Sequence, residues 1–183
     1  DLDKLVDEGL LEKEEILEYN WGTDESEIDY AALHQNRCKI LQKAFERFDT
    51  NAQEFQDFVK KQSEWLEQYA LFMTLKTDNL YKNWSEWPSE YRNTQTVALE
   101  KYQKKNYNTI TFWKFCQYKF FEQWEDLKNY ANSKGIYIIG DISFYVGYDS
   151  VDVWAERQLF MMSANDTPEY VAAAGPDKYS ESG

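Results

Sequence analysis

Histidine is almost missing from this 183-residue chain, with His34 its only example. Ser-His-Asp and Cys-His catalysis therefore have no support within the chain, and a zinc site has too few imidazoles to build on. Cysteine is nearly as scarce: Cys38 and Cys116 lie far apart, without paired-ligand spacing, and both fall inside helical patterns. That arrangement predicts free, buried thiols in a reducing compartment. Positive charge is short as well, 20 Lys and Arg against 33 Asp and Glu, a net charge of −13. Such a chain repels phosphate backbones and anionic lipid, and Lys60-Lys61 and Lys104-Lys105 read as solvated helix faces, so neither nucleic acid nor membrane is expected as a partner. The glycines form no Gly-x-Gly-x-x-Gly pattern and no phosphate loop. No metal or cofactor is expected. No apolar run approaches the roughly 20 residues that span a bilayer, and a soluble, cytoplasmic protein is anticipated.

What is abundant is aromatic. Hydrophobic residues make up 43% and aromatic residues 17% of the chain, enough for one packed unit with a sizeable core. The aromatic excess reads chiefly as core, and secondarily as a surface for flat ligands such as sugars or bases.

The periodicity is mostly helical. Leu2, Leu5, Val6, Leu10, Leu11, Ile16 and Leu17 predict two short helices broken at Gly9. Tyr30, Leu33, Arg37, Leu41, Ala44, Phe45 and Phe48 recur at three- and four-residue intervals in a longer helix from about Asp29. Another begins near Gln53, shifts near Ser63 and continues to Leu75 with apolar positions on more than one face, which predicts burial between neighbours. Trp84 to Pro88 breaks it. A polar helix follows from Thr94 to Lys104, and Thr109 is placed to cap the most apolar helix, carrying Ile110, Trp113, Phe115, Phe120, Phe121, Trp124, Leu127 and Tyr130 up to a stop at Asn132 to Gly135.

Residues Gly135 to Trp154 differ from all of this. Ile136, Ile138 and Ile139 form an uncharged β-branched run, the pattern of a strand covered on both faces of a parallel sheet. Asp141 follows at the strand end, where such sheets and barrels place their chemistry. Asp149 or Ser150 can then cap a helix, with Asp152 in its first turn. A single strand cannot satisfy its own backbone groups. Its sheet partners are therefore expected outside the chain, as in a piece of something longer, or in a hairpin formed by folding Tyr137 to Val146 back.

The run Ile138-Ile139-Gly140-Asp141-Ile142, with Tyr145-Val146, Asp149-Ser150 and Asp152-Val153-Trp154, closely resembles the 4-alpha-glucanotransferases known as amylomaltases or disproportionating enzymes, glycoside hydrolase family 77. Other stretches are similar in the same order: Asp1-Leu2-Asp3 with Gly9-Leu10-Leu11, Ile28-Asp29-Tyr30 with Arg37, and Tyr69 to Met73 with Leu75-Lys76. Trp84, Trp87-Pro88 and Arg92 continue the likeness, followed by Phe112, Phe115, Gln117, Gln123-Trp124 and Tyr130-Ala131-Asn132.

The resemblance implies a (β/α)8 barrel with helical insertions, of which this mostly α-helical chain supplies an insertion subdomain over residues 1–134. Residues 135–183 would then give one barrel strand, a capped helix and the start of an active-site loop. It implies transfer of α-1,4-glucan units between maltooligosaccharides by a retaining double displacement, which needs two carboxylates roughly 5 Å apart. In the family these come from later strands, so no catalytic residue is assigned within this chain.

Asp141 matches the strand-end aspartate that looks like an organiser of the sugar subsite beside the bond being cut. Its alternative role is to fix the strand-end loop through backbone N–H groups. Asp149 and Ser150 read as caps, and Trp154 as core. Val171 to Gly183 resembles the loop over the acceptor side, with Asp177 and Ser180 as candidate substrate contacts. It departs from the usual pattern at Ala173, Gly175 and Lys178, as Ser143 does in the strand-end motif. The expected partners are a maltooligosaccharide or glucan and the remainder of the barrel. The competing reading is a stand-alone helical glucan-binding or protein-interaction module without catalysis.

Overall fold

The computed structural model describes residues 1–23, 26–142, 145–171, 173, 175, 176 and 178. In chain order the helices are α1 (Leu2–Asp7), α2 (Lys13–Leu17), α3 (Tyr30–Arg47), α4 (Gln53–Lys61), α5 (Ser63–Asp78), α6 (Ser89–Arg92), α7 (Thr96–Lys105), α8 (Tyr107–Ser133) and α9 (Val151–Ala155). Short 3-10 turns cover Trp84–Glu86 and Arg157–Leu159. Among the described residues no helix is long and apolar enough to cross a membrane.

The helix boundaries follow local chemistry. Gly9 sits at φ +74. Its N–H donates to Val6 C=O at 2.9 Å, and the Leu10 N–H donates to Leu5 C=O at 2.9 Å. These paired bonds close α1 as a Schellman motif, with the buried Leu5 and Leu10 as its apolar contact. Gly135, also at φ +74, ends α8 in the same way: its own N–H bonds Asn132 C=O and the Ile136 N–H bonds Ala131 C=O. The Asp29 carboxylate accepts from Ala32 N–H and caps α3. Thr109, expected as the cap of α8, lies inside that helix instead, because α8 begins two residues earlier at Tyr107.

The chain forms two compact units. The first contains residues 1–67 and 108–138. Its core is aromatic: Phe115 is fully buried, 5.4 Å from Phe45 and 4.8 Å from Phe48, and Phe48 continues to Phe55 at 5.3 Å. Such tilted and edge-on pairs each add about 0.5–1.5 kcal/mol beyond the area they bury.

Lys119 is buried beside these rings. Its ammonium is neutralised by Glu8 and Glu122, both at 2.7 Å, and lies over the Phe48 and Tyr118 rings. A buried cation without such partners would cost several kcal/mol. Arg47 binds Glu15 with both guanidinium nitrogens, tying α2 to α3. Those bonds hold the Glu15 carboxyl down at about 2.

Only the first half of α8 behaves as the periodicity predicts. Ile110, Phe112, Trp113 and Phe115 are buried, whereas Phe120, Trp124, Leu127 and Tyr130 are exposed along the second half. These four side chains border an open groove with Asp1, Lys4, Gln123 and Asp126.

The second unit contains residues 68–107 and 139–183. Ala70, Leu71, Phe72, Thr74 and Leu75 of α5 are all buried, as expected of a helix apolar on more than one face. Phe72, Trp87 and Trp154 form a closed aromatic triad with centroid separations of 5.2, 5.7 and 5.9 Å. The Trp154 indole N–H donates to Tyr91 C=O at 3.0 Å. Tyr102 donates its hydroxyl to Asp78, and burial followed by that carboxylate pushes its pKa well above the usual tyrosine range.

Phe115→Ala should destabilise the protein by about 3–5 kcal/mol, the cost of an aromatic cavity that its neighbours fill only in part. The check is a fall in the urea midpoint at unchanged slope.

Candidate functional site

The strand expected over Ile136 to Ile139 is not formed. Among the described residues the only β-bridge pairs Met162 with Pro168, and residues 136–142 carry no regular secondary structure. Nor is the run buried: Ile139 is 94% exposed, with Ile136, Tyr137, Ile138 and Ile142 also exposed. The physical reason is the one that made the strand suspect, since a strand needs flanking strands for its N–H and C=O groups. No hairpin forms in their place among the described residues.

Asp141 is exposed at the end of this run. Its Oδ1 accepts from the Ile142 N–H at 2.8 Å, a local bond that orients the carboxylate. Asp177 and Ser180, the candidate acceptor-side contacts, lie outside the described residues.

Beyond Asp141 the chain becomes firmly held within the second unit. Ser150 caps α9 by accepting from Val153 N–H, and Asp152 lies in the first turn. Asp149 is a structural carboxylate: Oδ2 pairs with the Lys76 ammonium, and Oδ1 accepts from Trp84 N–H at 3.2 Å. Lys76 also donates to Lys82 C=O at 2.8 Å. The intervening Leu80 and Tyr81 are at φ 55 and 59. Two consecutive non-glycine residues in the left-handed region carry strain that persists only where surrounding contacts over-determine it.

Trp84 is the centre of this arrangement and is fully buried. Its indole N–H donates to Tyr148 C=O at 2.7 Å, and the two rings lie 5.1 Å apart. The Arg157 guanidinium covers the Trp84 ring at 4.5 Å and bonds the Asp166 carboxylate at 3.1 Å. Tyr148 in turn donates its hydroxyl to Asp166 C=O at 2.6 Å. Asp166 belongs to a tight turn in which the Ser163 N–H bonds Thr167 C=O. Residues on both sides of that turn, with the segment after Asp141, line an apolar cavity of about 500 Å³ that includes Tyr145, Tyr148, Phe160, Met161, Tyr170 and Val171.

Of the residues marked by sequence, Ser150 and Trp154 have the roles expected, cap and core, whereas Asp149 does not cap α9 and instead pairs with Lys76 and the Trp84 amide. Tyr148, Arg157 and Asp166 carry no motif signal and emerge only from the coordinates. Lys76 was visible only as part of a family-like stretch, without its partner.

The cysteines are free but half-buried rather than buried. Burial, then the neighbouring Cys38 thiol, pushes Cys116 up to about 12. Among the described residues no group of three or more His, Cys, Asp or Glu side chains is placed to hold a metal ion.

The family model for 4-alpha-glucanotransferase matches residues 1–183, and the chain belongs to that family. It is 37% identical over 185 residues to a 4-alpha-glucanotransferase of Clostridium butyricum, an alignment covering 100% of this chain and 38% of that protein. A 4-alpha-glucanotransferase of Streptococcus pneumoniae is 38% identical over 188 residues, covering 100% of this chain and 37% of that one. Among solved structures, an amylomaltase from Streptococcus agalactiae in complex with acarbose is similar with a TM-score of 0.89 at 34% identity. That match covers 99% of this chain and 37% of the other. The chain thus spans little more than a third of the length of the relatives it matches.

A thiol reagent at pH 8 should modify native Cys116 roughly tenfold or more slowly than the urea-unfolded chain, since the thiolate is the reacting form. Comparison of Cys38→Ser with Cys116→Ser assigns the slow phase. An equal rate in the native and unfolded states of Cys38→Ser would contradict the burial of Cys116.

Proposed function

We propose that this chain is the part of a 4-alpha-glucanotransferase that contributes scaffold and glucan-binding surface but not the catalytic carboxylates. Residues 1–134 act as a helical insertion subdomain. Residues 135–183 supply a strand, the capped helix and the beginning of an active-site loop to a (β/α)8 barrel. The observation that carries this reading is the exposed run from Ile136 to Ile142, rich in β-branched residues and without regular secondary structure. Only flanking strands from the rest of such a barrel would satisfy both its apolar side chains and its peptide groups. The stand-alone module reading leaves that run unexplained.

The reaction is transfer of an α-1,4-linked glucan from donor to acceptor with retention. A carboxylate attacks the anomeric carbon while a second protonates the departing oxygen. The acceptor hydroxyl then displaces the enzyme with the second carboxylate acting as base. The two groups must stand about 5–5.5 Å apart across the bond. Asp149, the acid closest in sequence after Asp141 in the described part of the second unit, is already committed to Lys76 and the Trp84 amide. Asp141 therefore serves as a substrate-site organiser, accepting sugar hydroxyls with a carboxylate that its own loop orients. Asp177 and Ser180 are proposed as acceptor-side contacts. Support for a glucan-type ligand comes from the acarbose complex of the Streptococcus agalactiae amylomaltase, similar over nearly the whole chain.

The 183-residue chain alone should not disproportionate maltotriose; glucose release proportional to the amount of purified chain would overturn the assignment of the catalytic acids to other segments. In the full-length enzyme Asp141→Ala should lower kcat by about a hundredfold or more, the scale of misplacing a substrate by about an ångström. Its melting temperature should stay close to that of the parent. A collapse of stability alongside activity would instead assign Asp141 to loop maintenance.

A further inference from the structure

Four contacts in the second unit close a ring of side chains: Trp84 Nε1 to Tyr148 C=O, Tyr148 hydroxyl to Asp166 C=O, Arg157 Nη1 to Asp166 Oδ1, and the Arg157 guanidinium over the Trp84 ring. We propose that Arg157 is a positioning residue for glucan transfer, coupling the segment after Asp141 to the segment that leads into the loop from Val171. The inference rests on the function proposed above and adds to it a residue that neither touches substrate nor belongs to the resembling motif.

Each link has a defined task. Tyr148 lies seven residues beyond Asp141 and is fixed twice, by its carbonyl to Trp84 and by its hydroxyl to Asp166. Asp149 fixes the same stretch to Lys76 and to the Trp84 amide. Asp166, at φ 58, anchors the turn that precedes Tyr170 and Val171. Arg157 joins this turn to Trp84 through its guanidinium, beside the Tyr148 ring, which packs on Trp84 and bonds the Asp166 carbonyl. The joint requires a guanidinium, whose flat face stacks on the indole while its edge donates in plane to a carboxylate. A lysine ammonium is a point charge and cannot do both in the same pose. The Arg157 Nη2 is buried and has no hydrogen-bond partner among the described residues, so one donor remains for a group brought by the rest of the protein. The cavity of about 500 Å³ between the two coupled segments is lined by Tyr145, Tyr148, Phe160 and Tyr170, so its width depends on the ring staying closed.

The test uses the full-length enzyme with Arg157→Gln, Arg157→Lys and the milder Asp166→Asn, which keeps the backbone carbonyl that Tyr148 bonds. Initial rates of glucan transfer are measured over a maltooligosaccharide series, with thermal unfolding and near-ultraviolet circular dichroism on the same samples. Arg157→Gln should lower kcat/KM about tenfold or more, chiefly through KM, per folded molecule. Arg157→Lys should recover only a small part of that loss, because the planar contact is not restored. Asp166→Asn should move KM in the same direction by less. Values of kcat/KM within about twofold of the parent for all three variants, with melting temperatures lowered, would overturn the positioning role and leave a purely structural ring. Absence of transfer by the unaltered full-length protein would instead remove the proposed function, and this inference with it.

Discussion

Every peptide group carries a donor and an acceptor that must be satisfied, and this chain meets that demand almost entirely through helices. The ends of those helices are where the demand is most acute, and glycine answers it at two of them. Gly9 and Gly135 take up left-handed geometry, which lets the two amides that follow α1 and α8 fold back on the last carbonyls. After Gly135 the solution runs out. Ile136 spends its N–H on the end of α8, and residues 137–142 carry no regular secondary structure. The second unit resumes order only where side chains replace the missing ladder, as Asp149 accepts the Trp84 amide and Trp84 donates to Tyr148.

Much of the helical architecture was legible because it is encoded within a few residues. The break at Gly9, the helix start near Asp29, the shift near Ser63, the stop before Gly135 and the Ser150 cap all depend on contacts no more than about five positions apart, the range over which helix signals act. The strand expected over Ile136 to Ile139 is not formed among the described residues, because periodicity reports what a segment is suited to, while formation depends on partners. The second half of α8 shows the same limit: Phe120, Trp124, Leu127 and Tyr130 have core character and are nevertheless exposed.

The candidate site divides along a similar line. Asp141 could be singled out because an acid after an uncharged β-branched run is unusual in one dimension. The ring around Trp84 could not, since it joins Trp84 to residues 64 to 82 positions away and uses types common anywhere in a chain. Tyr148 sits 64 positions from Trp84, with Asp166 a further 18 along. The strain at Leu80 and Tyr81 has no sequence signal at all, because those residue types do not favour positive φ. The structure shows why it is tolerated: the Lys76 ammonium and the Trp87 indole N–H both hold the Lys82 carbonyl that follows.

The exposed run at Ile136 to Ile142 also bears on how the chain behaves before anything covers it. Five of its seven residues, Ile136, Tyr137, Ile138, Ile139 and Ile142, have high β-propensity, and with no proline and no charge until Asp141 the run is the kind of segment that pairs with copies of itself and seeds aggregates. Asp141 is then also a gatekeeper: a single negative charge near the end of the run, repelling its counterpart in a second chain. The net charge of −13 acts in the same direction over the whole surface. The carboxylate proposed to meet sugar hydroxyls would thus do a second service, keeping this exposed run apart from its copies in other chains.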